Sequence, residues 1–279
     1  MKFLSMLKKR WKSADSLLCV GLDPQIDRFP DVFKDSNLPY FEFCKAVVDA
    51  THGSVCAFKP QAAYFSAVGA ENQLERLIGY IKKDYPDIPV ILDAKRGDIG
   101  STAALYAREA YERYGADAVT VNPYLGLESI EPYMNYSDKG IVVLCRTSNP
   151  GSDWLQKNGI DTVPVYERVA QQVVRWNEDD QFVLVTGATY PEELGRVRKI
   201  VGEMPLLVPG IGAQGGDLEA VLNNGLNKES AGLIISSSRE VLYAHESGVD
   251  PIDKSRALRA SGRVAGDTKN SINKIIKNL

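Results

Sequence analysis

The amino-acid sequence predicts an α/β protein of the (β/α)8 TIM-barrel class with an extra helix before the first strand. Three observations support this: a length of 279 residues, eight short apolar runs, and longer amphipathic stretches between them. The apolar runs, interpreted as strands, span residues 17–22, 55–58, 90–92, 118–121, 141–144, 182–185, 206–208 and 233–235. Strands that alternate with helices form parallel βαβ units, and eight such units can close into a barrel.

Amphipathic stretches predict the helices that connect these strands. They span residues 39–52, 74–83, 102–114, 163–176, 191–201 and 218–223, and a helical tail runs from about 254 to 276. A first helix over 3–11 is expected to cap the bottom of the barrel or to pack outside it. No linker or low-complexity tract divides the chain, so residues 1–279 are expected to form a single TIM-barrel domain.

Composition and charge are those of a soluble globular protein. Hydrophobic residues make up 44% of the chain, charged residues 25%, and the net charge is −3. Without a general basic surface the chain is not expected to bind nucleic acid or an anionic membrane, so any phosphate must be bound locally. No run approaches the roughly 18 apolar residues of a membrane span. The apolar N-terminal stretch is too short for a secretory signal, which favours the cytoplasm.

Cysteine and histidine usage bears on the chemistry. The four cysteines, Cys19, Cys44, Cys56 and Cys145, lie in apolar runs without a C-x-x-C motif, which predicts buried thiols in a reducing compartment. The chain has two histidines, and neither directly follows a predicted strand. This scarcity argues against a zinc site and against a histidine-based triad, so no metal is predicted.

The most informative stretch is the third predicted strand with its continuation, Val90-Ile91-Leu92-Asp93-Ala94-Lys95-Arg96-Gly97-Asp98-Ile99. Side chains alternate along a strand, so Asp93 and Lys95 are expected to point the same way. Gly97 allows a turn that can return Asp98 towards the same end of the strand. The pattern therefore predicts a lysine held between two carboxylates where a buried strand ends. For an isolated D-x-K-x-x-D pattern the alternative is a solvated ion-pair turn.

Polar residues also follow other predicted strands. They are Asp23, Lys59, Asn122, Thr147, Ser148 and Thr186. In a TIM barrel the C-terminal strand ends form one rim, and active sites lie there. Asp23 could instead begin a turn, Lys59 could be a solvated exit from its strand, and a structural role is favoured for Asn122. Because all of these residues would lie in one layer, a shared site is favoured over six independent structural roles.

The last two predicted strands are followed by a candidate phosphate site. A glycine-rich stretch, Pro209-Gly210-Ile211-Gly212-Ala213-Gln214-Gly215-Gly216, follows the first of them, and Ser236-Ser237-Ser238-Arg239 follows the second. The loops after the seventh and eighth strands commonly bind phosphate in this architecture. Backbone N–H groups at a helix start favour an anion, and the Arg239 guanidinium can bind two of its oxygens.

These residues resemble the signature motifs of the orotidine 5′-phosphate decarboxylase family. The stretch Asp93–Ile99 is similar to the family's central motif, and three other stretches are similar to further landmarks. These are Leu18-Cys19-Val20-Gly21-Leu22-Asp23, Phe58-Lys59-Pro60 and Pro209–Gly216. The stretches occur in family order over nearly the whole chain, and the length resembles the longer bacterial branch, often called type 2.

The resemblance implies decarboxylation of orotidine 5′-phosphate to UMP and CO₂, the last step of de novo UMP synthesis, without a metal or cofactor. It implies a charged network of Lys59, Asp93, Lys95 and Asp98, in which Lys95 donates a proton to C6 and Asp93 lies against the substrate carboxylate. The implied substrate-binding residues are Asp23, Thr102, Ser148, Pro209, Gln214, Gly216, Ser238 and Arg239.

Individual roles follow from the same resemblance. Asp23 and Lys59 would hold ribose hydroxyls, Ser148 would contact the pyrimidine edge, and Gln214 and Arg239 would bind phosphate. Asp98 and Thr102 would reach the site of a neighbouring subunit, which implies a homodimer with shared active sites. The segments 24–38 and 149–163 are longer than a minimal barrel requires, and the resemblance assigns them no contacts.

The alternatives are another enzyme of the same barrel group and a non-enzymatic nucleotide sensor. A sugar-phosphate decarboxylase or aldolase-like synthase can also use a D-x-K-x-x-D motif, but such relatives use Mg²⁺ and an additional acid. After the second predicted strand, where that acid is sought, the chain has Lys59-Pro60-Gln61. A ribulose-phosphate epimerase needs rim histidines, which the chain lacks. A non-enzymatic nucleotide sensor is disfavoured by the intact set of charged residues.

Overall fold

A closed parallel barrel forms the centre of the protein. The structure, a computed structural model, describes residues 1–160, 162–211, 216–247 and 254–279. The barrel strands are β1 (Leu18–Leu22), β2 (Ala57–Pro60), β3 (Ile91–Arg96), β4 (Ala118–Val121), β5 (Gly140–Arg146), β8 (Phe182–Thr186), β9 (Leu206–Pro209) and β10 (Leu233–Ser237); β6 (Gly159–Ile160) and β7 (Val163–Pro164) form a separate antiparallel hairpin. The order of strands in the sheet is β2-β1-β10-β9-β8-β5-β4-β3. Isolated parallel bridges, Phe58–Val90 and Gln61–Asp93, join β2 to β3, so the barrel closes as predicted.

Helices connect the strands and surround the barrel. They are α1 (Phe3–Ala14), α2 (Asp31–Lys34), α3 (Pro39–Thr51), α4 (Ala62–Ser66), α5 (Glu71–Asp84), α6 (Gly100–Arg108), α7 (Glu131–Met134), α8 (Asp153–Gln156), α9 (Val165–Trp176), α10 (Pro191–Val201), α11 (Leu218–Gly225), α12 (Arg239–Leu242) and α13 (Lys254–Asn278). Local sequence accounts for their ends, as in α10. Its first residue, Pro191, has the fixed φ of a helix start, and acidic residues occupy the first turn. A single cluster of buried apolar side chains extends from Phe3 in α1 to Ile272 in α13.

Helix α1 packs at the N-terminal end of the barrel. The Phe3 ring lies where a Cβ atom on Gly140, the first residue of β5, would be, so a glycine is needed there. Arg10 donates to the carbonyl of Val55, just before β2. Of the two predicted positions for this helix, the one at the barrel bottom is therefore correct.

The strands extend further towards the C-terminal rim than their apolar runs predict. β2, β3, β5 and β10 continue to Pro60, Arg96, Arg146 and Ser237, two to four residues beyond the predicted ends. Backbone hydrogen bonding to neighbouring strands does not require an apolar side chain, so hydrophobicity underestimates strand length. Lys59 accordingly lies within β2 rather than after it, just as Asp93 and Lys95 lie within β3.

The described residues also bear on the expectations about membranes and thiols. None of the helices in the described ranges is long and apolar enough to span a bilayer. All four cysteines are buried and free, as predicted. Burial raises the pKa of the Cys19 thiol to about 12, which makes the thiolate rare at neutral pH.

Candidate active site

Two adjoining cavities open at the C-terminal rim of the barrel. The larger has a volume of about 540 Å³ and the smaller about 150 Å³. Lys59, Asp93 and Pro209 line both cavities. The two cavities therefore adjoin each other, and the Lys59–Asp93 pair and Pro209 lie between them.

A chain of ion pairs lies where the cavities meet. Asp93 Oδ2 accepts a hydrogen bond from Lys59 Nζ at 2.8 Å, and Asp93 Oδ1 accepts one from Lys95 Nζ at 2.6 Å. The Asp93 and Lys59 side chains are 8% and 7% exposed, whereas that of Lys95 is 47% exposed. The buried pair fixes the carboxylate, and the more accessible ammonium of Lys95 faces the larger cavity.

Mutual attraction keeps the buried pair ionised. Burial would raise the pKa of Asp93, but the charges of Lys59 and Lys95 outweigh it, so that pKa lies well below its usual range. Burial would lower the pKa of Lys59, but Asp93 and Asp23 reverse the effect and hold it above its usual value. Both groups therefore remain charged at neutral pH.

Strand β3 is irregular at the ion-pair chain. Leu92 pairs with Val119 of β4 and Arg96 pairs with Val121, and the register shifts between these pairs. Lys95 has a φ of 47°, in the left-handed region that glycine favours. Lys95 and Asp93 thus meet as predicted, but the regular alternation of a strand is not the reason.

Asp98 and Thr102 are not members of the ion-pair chain, which consists of Lys59, Asp93 and Lys95. The Asp98 carboxylate accepts a hydrogen bond from the backbone N–H of Ile99 at 2.8 Å, and Thr102 is exposed on α6. Neither residue lines the two rim cavities. Within a single chain, the structure therefore brings together three of the four predicted network residues.

The smaller cavity is lined by Asp23 and by the stretch Ser236–Arg239 after the last barrel strand. Asp23 Oδ1 and Ser237 Oγ are buried, and neither has a hydrogen-bond partner among the residues that the structure describes. Ser238 Oγ packs against Gly21, where an added Cβ would lie 1.9 Å from it. Arg239 is exposed at the cavity edge. This compartment combines unpaired oxygen atoms with a guanidinium, which suits a ligand that carries hydroxyls and an anionic group.

The backbone conformation at the C-terminal end of β9 explains why some residues of the glycine-rich stretch must be glycine. Pro209 ends the strand and lines both cavities, and Gly210 has a φ of 100°. Ile211 and Gly216 pair with each other, and the Gly216 N–H donates to the Gly210 carbonyl at 3.1 Å. A Cβ at Gly216 would lie 2.7 Å from that oxygen, so the close approach requires glycine. The predicted phosphate ligand Gln214 lies outside the described residues.

The segment after β5 covers one side of the larger cavity. Ser148 lines this cavity, together with Trp154 and Gln156 of α8. The backbone of Ser148 packs against Gly187, where a Cβ would lie 2.7 Å from Ser148 Cα. The structure thus places Ser148 at the site, and it places residues between 149 and 156, for which no contacts were predicted, along the same cavity.

Arg146 anchors this segment. Its side chain is fully buried, donates to Asp153 Oδ1 at 2.6 Å, and also pairs with Glu193 of α10 and with Ser152. Its guanidinium lies 3.7 Å from the centre of the Tyr190 ring. Sequence reasoning missed Arg146 because it reads as the polar end of an apolar strand.

The segment 24–38 is tied to the other side of the rim. The Tyr243 hydroxyl accepts from the backbone N–H of Gln25 at 2.7 Å and donates to the carbonyl of Asp23 at 2.9 Å. Arg28 forms a two-point ion pair with Glu246. These contacts hold the backbone that carries Asp23.

A (β/α)8 barrel with a lysine–aspartate–lysine chain of ion pairs beside a small cavity edged by an arginine is typical of enzymes that act on small phosphorylated substrates. A family model described as "Orotidine 5'-phosphate decarboxylase / HUMPS family" matches residues 16–250. The match covers the barrel strands and both cavities. The chain therefore belongs to the orotidine 5′-phosphate decarboxylase / HUMPS family.

Individual relatives agree with the family model. The orotidine 5′-phosphate decarboxylase of Cellvibrio japonicus is 55% identical over 266 residues, covering 94% of this chain and 97% of that protein. The enzyme of the same name from Janthinobacterium sp. is 50% identical over 277 residues, covering 99% and 100%. The structure of Leishmania donovani OMP decarboxylase has a TM-score of 0.81 and 38% identity, covering 98% of this chain and 99% of that one. The chain is accordingly a decarboxylase, which is a carboxy-lyase.

Proposed function

We propose that this chain converts orotidine 5′-phosphate to UMP and CO₂ without a metal or organic cofactor, and that Lys95 protonates C6. The observation that carries this proposal is the chain of ion pairs from Lys59 through Asp93 to Lys95 at the barrel rim, with contacts of 2.8 and 2.6 Å. Family membership supplies the reaction class, and this geometry supplies a fixed cation with an accessible face.

Lys95 has the main chemical role. Loss of CO₂ leaves an electron pair on C6, a ring carbon without an adjacent carbonyl to delocalise it, so the barrier is high. Enzymes lower barriers by about 8–23 kcal/mol, and this reaction is expected to need the upper part of that range. A preorganised ammonium group stabilises negative charge where it develops, and Lys95 can then transfer a proton to C6.

Asp93 contributes in two ways. It orients Lys95, and its negative charge repels a substrate carboxylate placed beside it. At a separation of about 4 Å and an effective dielectric constant of about 20, that repulsion amounts to about 4 kcal/mol. This is well below the required total, so electrostatic stabilisation by Lys95 is assigned the larger share.

The two cavities bind different parts of the substrate. The larger one, lined by Ser148, takes the pyrimidine ring. The smaller one takes the ribose and phosphate: Asp23 and Lys59 bind ribose hydroxyls, and Arg239 and Ser238 bind phosphate together with the backbone near Pro209 and Gly216. Binding energy from the phosphate, which does not react, can then hold the reacting carbon in place. Gln214 stays a predicted phosphate ligand.

The test is a turnover assay of the purified chain with orotidine 5′-phosphate, following loss of substrate absorbance and release of CO₂. We expect turnover, and we expect it to be unchanged by EDTA. Loss of activity on chelation, restored by Mg²⁺, would favour the metal-dependent sugar-phosphate chemistry instead. Nucleotide binding without turnover would favour a sensor.

Dimerisation with shared sites is part of the proposal. Large apolar side chains are exposed just before α6, on α6 and after β4; they are Ile99, Leu105, Tyr124, Leu125 and Leu127. An exposed apolar patch of this kind is typical of a protein–protein interface. If a second copy packs against this face, Asp98 and Thr102 of the first copy would approach the cavity of the second copy.

Complementation tests the sharing of sites. If Asp98 acts in the neighbouring site, mixed dimers of inactive Lys95→Ala and inactive Asp98→Ala subunits regain one intact site. We expect partial recovery of activity on mixing. No recovery in dimers verified as mixed by mass would refute the shared site while leaving the role of Lys95 intact.

Two further assignments complete the proposal. Residues 1–279 act as a single catalytic domain, in line with the continuous apolar cluster from α1 to α13. A cytoplasmic location stays a prediction, supported by the four free, buried cysteines.

A further inference from the structure

The register shift in β3 places three residues of this strand opposite a single residue of the neighbouring strand β4. Between the Leu92–Val119 and Arg96–Val121 pairs, β3 contains residues 93–95, whereas β4 contains only Thr120. A regular ladder cannot satisfy the backbone of such an insertion. Strand pairing resumes directly afterwards, where Asn122 N–H donates to the Arg96 carbonyl at 2.7 Å.

The Thr120 hydroxyl replaces the missing ladder bonds. Thr120 Oγ1 accepts from the backbone N–H of Ala94 and from that of Lys95, each at 2.9 Å, and it donates to Asp93 Oδ1 at 2.9 Å. A hydroxyl has one donor and two acceptor positions, so its hydrogen-bonding capacity is fully used. Thr120 is buried at 1% exposure, and the β-branched side chain restricts rotation about its χ1 angle.

These hydrogen bonds restrain both Lys95 and Asp93, the two residues that form the accessible ion pair. A residue other than glycine in the left-handed region costs about 1–2 kcal/mol, so the backbone of Lys95 needs a local restraint. The bond to its N–H supplies one. The bond to Asp93 Oδ1 restrains the same oxygen atom that accepts the hydrogen bond from Lys95 Nζ.

We infer that Thr120 is a positioning residue: its hydroxyl holds the backbone of Lys95 and the carboxylate of Asp93 in the relative geometry that proton transfer to C6 requires. The inference rests on the proposed function, since it concerns how that reaction is supported. Thr120 also lines the larger cavity, so its replacement is tested for effects on ligand binding as well.

The experiment compares Thr120→Val, which keeps the shape but removes the hydroxyl, with Thr120→Ser, which keeps the hydroxyl. For Thr120→Val we expect kcat to fall by about 10- to 100-fold, as for a displacement of the catalytic group by about an ångström. Inhibition by UMP should stay within about threefold of the parent. For Thr120→Ser we expect kcat within about threefold of the parent.

Thr51→Val is the matched control. Thr51 is buried in α3 and donates to the Val47 carbonyl at 2.8 Å, far from the rim. Thr51→Val makes the same exchange of a hydroxyl for a methyl group, and it should lower the melting temperature without changing kcat. If Thr120→Val does not fold, Thr120→Ala is measured in its place with the same expectation.

The outcomes separate this inference from the proposed function. Absence of turnover by the parent chain would refute the function itself. With an active parent, kcat of Thr120→Val or Thr120→Ala within threefold would overturn the positioning role. A Thr120→Ser variant with a kcat as low as that of Thr120→Val would also overturn it, because the methyl group rather than the hydroxyl would then support catalysis. If neither hydroxyl-free variant folds, Thr120 is a folding residue and the inference is wrong.

Discussion

Replacing Asp93 by asparagine tests the electrostatic core of the site. The substitution keeps the shape but leaves the Lys59 ammonium, whose side chain is 7% exposed, without its counter-charge. Removing one partner of a buried ion pair typically costs about 3–5 kcal/mol. The half-exposed Lys95 pair adds about 1 kcal/mol at most because water screens it. The total of about 3–6 kcal/mol corresponds, at about 2 °C per kcal/mol for a chain of this size, to a melting temperature lower by roughly 6–12 °C.

The assay is thermal unfolding at pH 7, combined with kcat measured at a temperature where both proteins are folded. We expect Asp93→Asn to lose stability and at least about 100-fold in kcat, because Lys95 loses its orienting partner. Asp117→Asn is the control. Asp117 is buried, pairs with Lys82 and accepts from the Val90 N–H at 2.9 Å, but it lies just before β4, at the opposite end of the barrel. It should lose stability without losing kcat.

The pH dependence has a defined sign. The folded-state pKa of Asp93 lies below its unfolded value, so its stabilisation is present above the unfolded pKa, about 3.9, and is lost as pH falls through the folded value. The difference in melting temperature between parent and Asp93→Asn should therefore hold from pH 7 to about 5 and narrow only below about pH 4. A variant that melts within about 2 °C of the parent at pH 7 would refute the reasoning.

Two other substitutions test the division of roles within the site. Lys95→Ala should lower kcat by at least about 10³-fold while UMP still inhibits at a similar concentration, and near-normal turnover would remove Lys95 from the chemistry. Arg239→Ala should raise KM by about 10- to 100-fold, the loss expected for charge-assisted hydrogen bonds to phosphate, with a smaller effect on kcat. An unchanged KM would reject Arg239 as the phosphate ligand.

The fold could be predicted from the sequence because each barrel strand carries its own local signal. All eight predicted strands are present in the expected order, and the bounds of α10 agree with the prediction. The errors have a common physical origin. Apolar runs report the buried middle of a strand, whereas its C-terminal end is fixed by hydrogen bonds to a neighbouring strand. Lys59 and Arg146 are strand residues for that reason, although their polarity alone indicates a loop.

The contributions of long-range contacts to the site were harder to predict. Arg146 was missed because its partners lie in two other elements: Asp153 of α8 and Glu193 of α10, the latter 47 residues further along the chain. The glycine-rich pattern after β9 predicted a phosphate loop, but it did not predict that the Gly216 N–H would donate to the Gly210 carbonyl. Specific pairings between residues are therefore harder to predict from sequence than the presence of a motif.

The meeting of Lys95 with Asp93 shows how a correct prediction can rest on the wrong geometry. Alternation along a regular strand predicts that the two side chains share a face, and their charged atoms do meet at 2.6 Å. In the structure the strand is interrupted at that point, and the hydroxyl that supports the interruption belongs to a residue 25 positions after Lys95. A regular β3 would place Lys95 by strand geometry alone. The interruption instead makes its position depend on Thr120, so a residue outside the charged motif becomes part of what that motif needs to function.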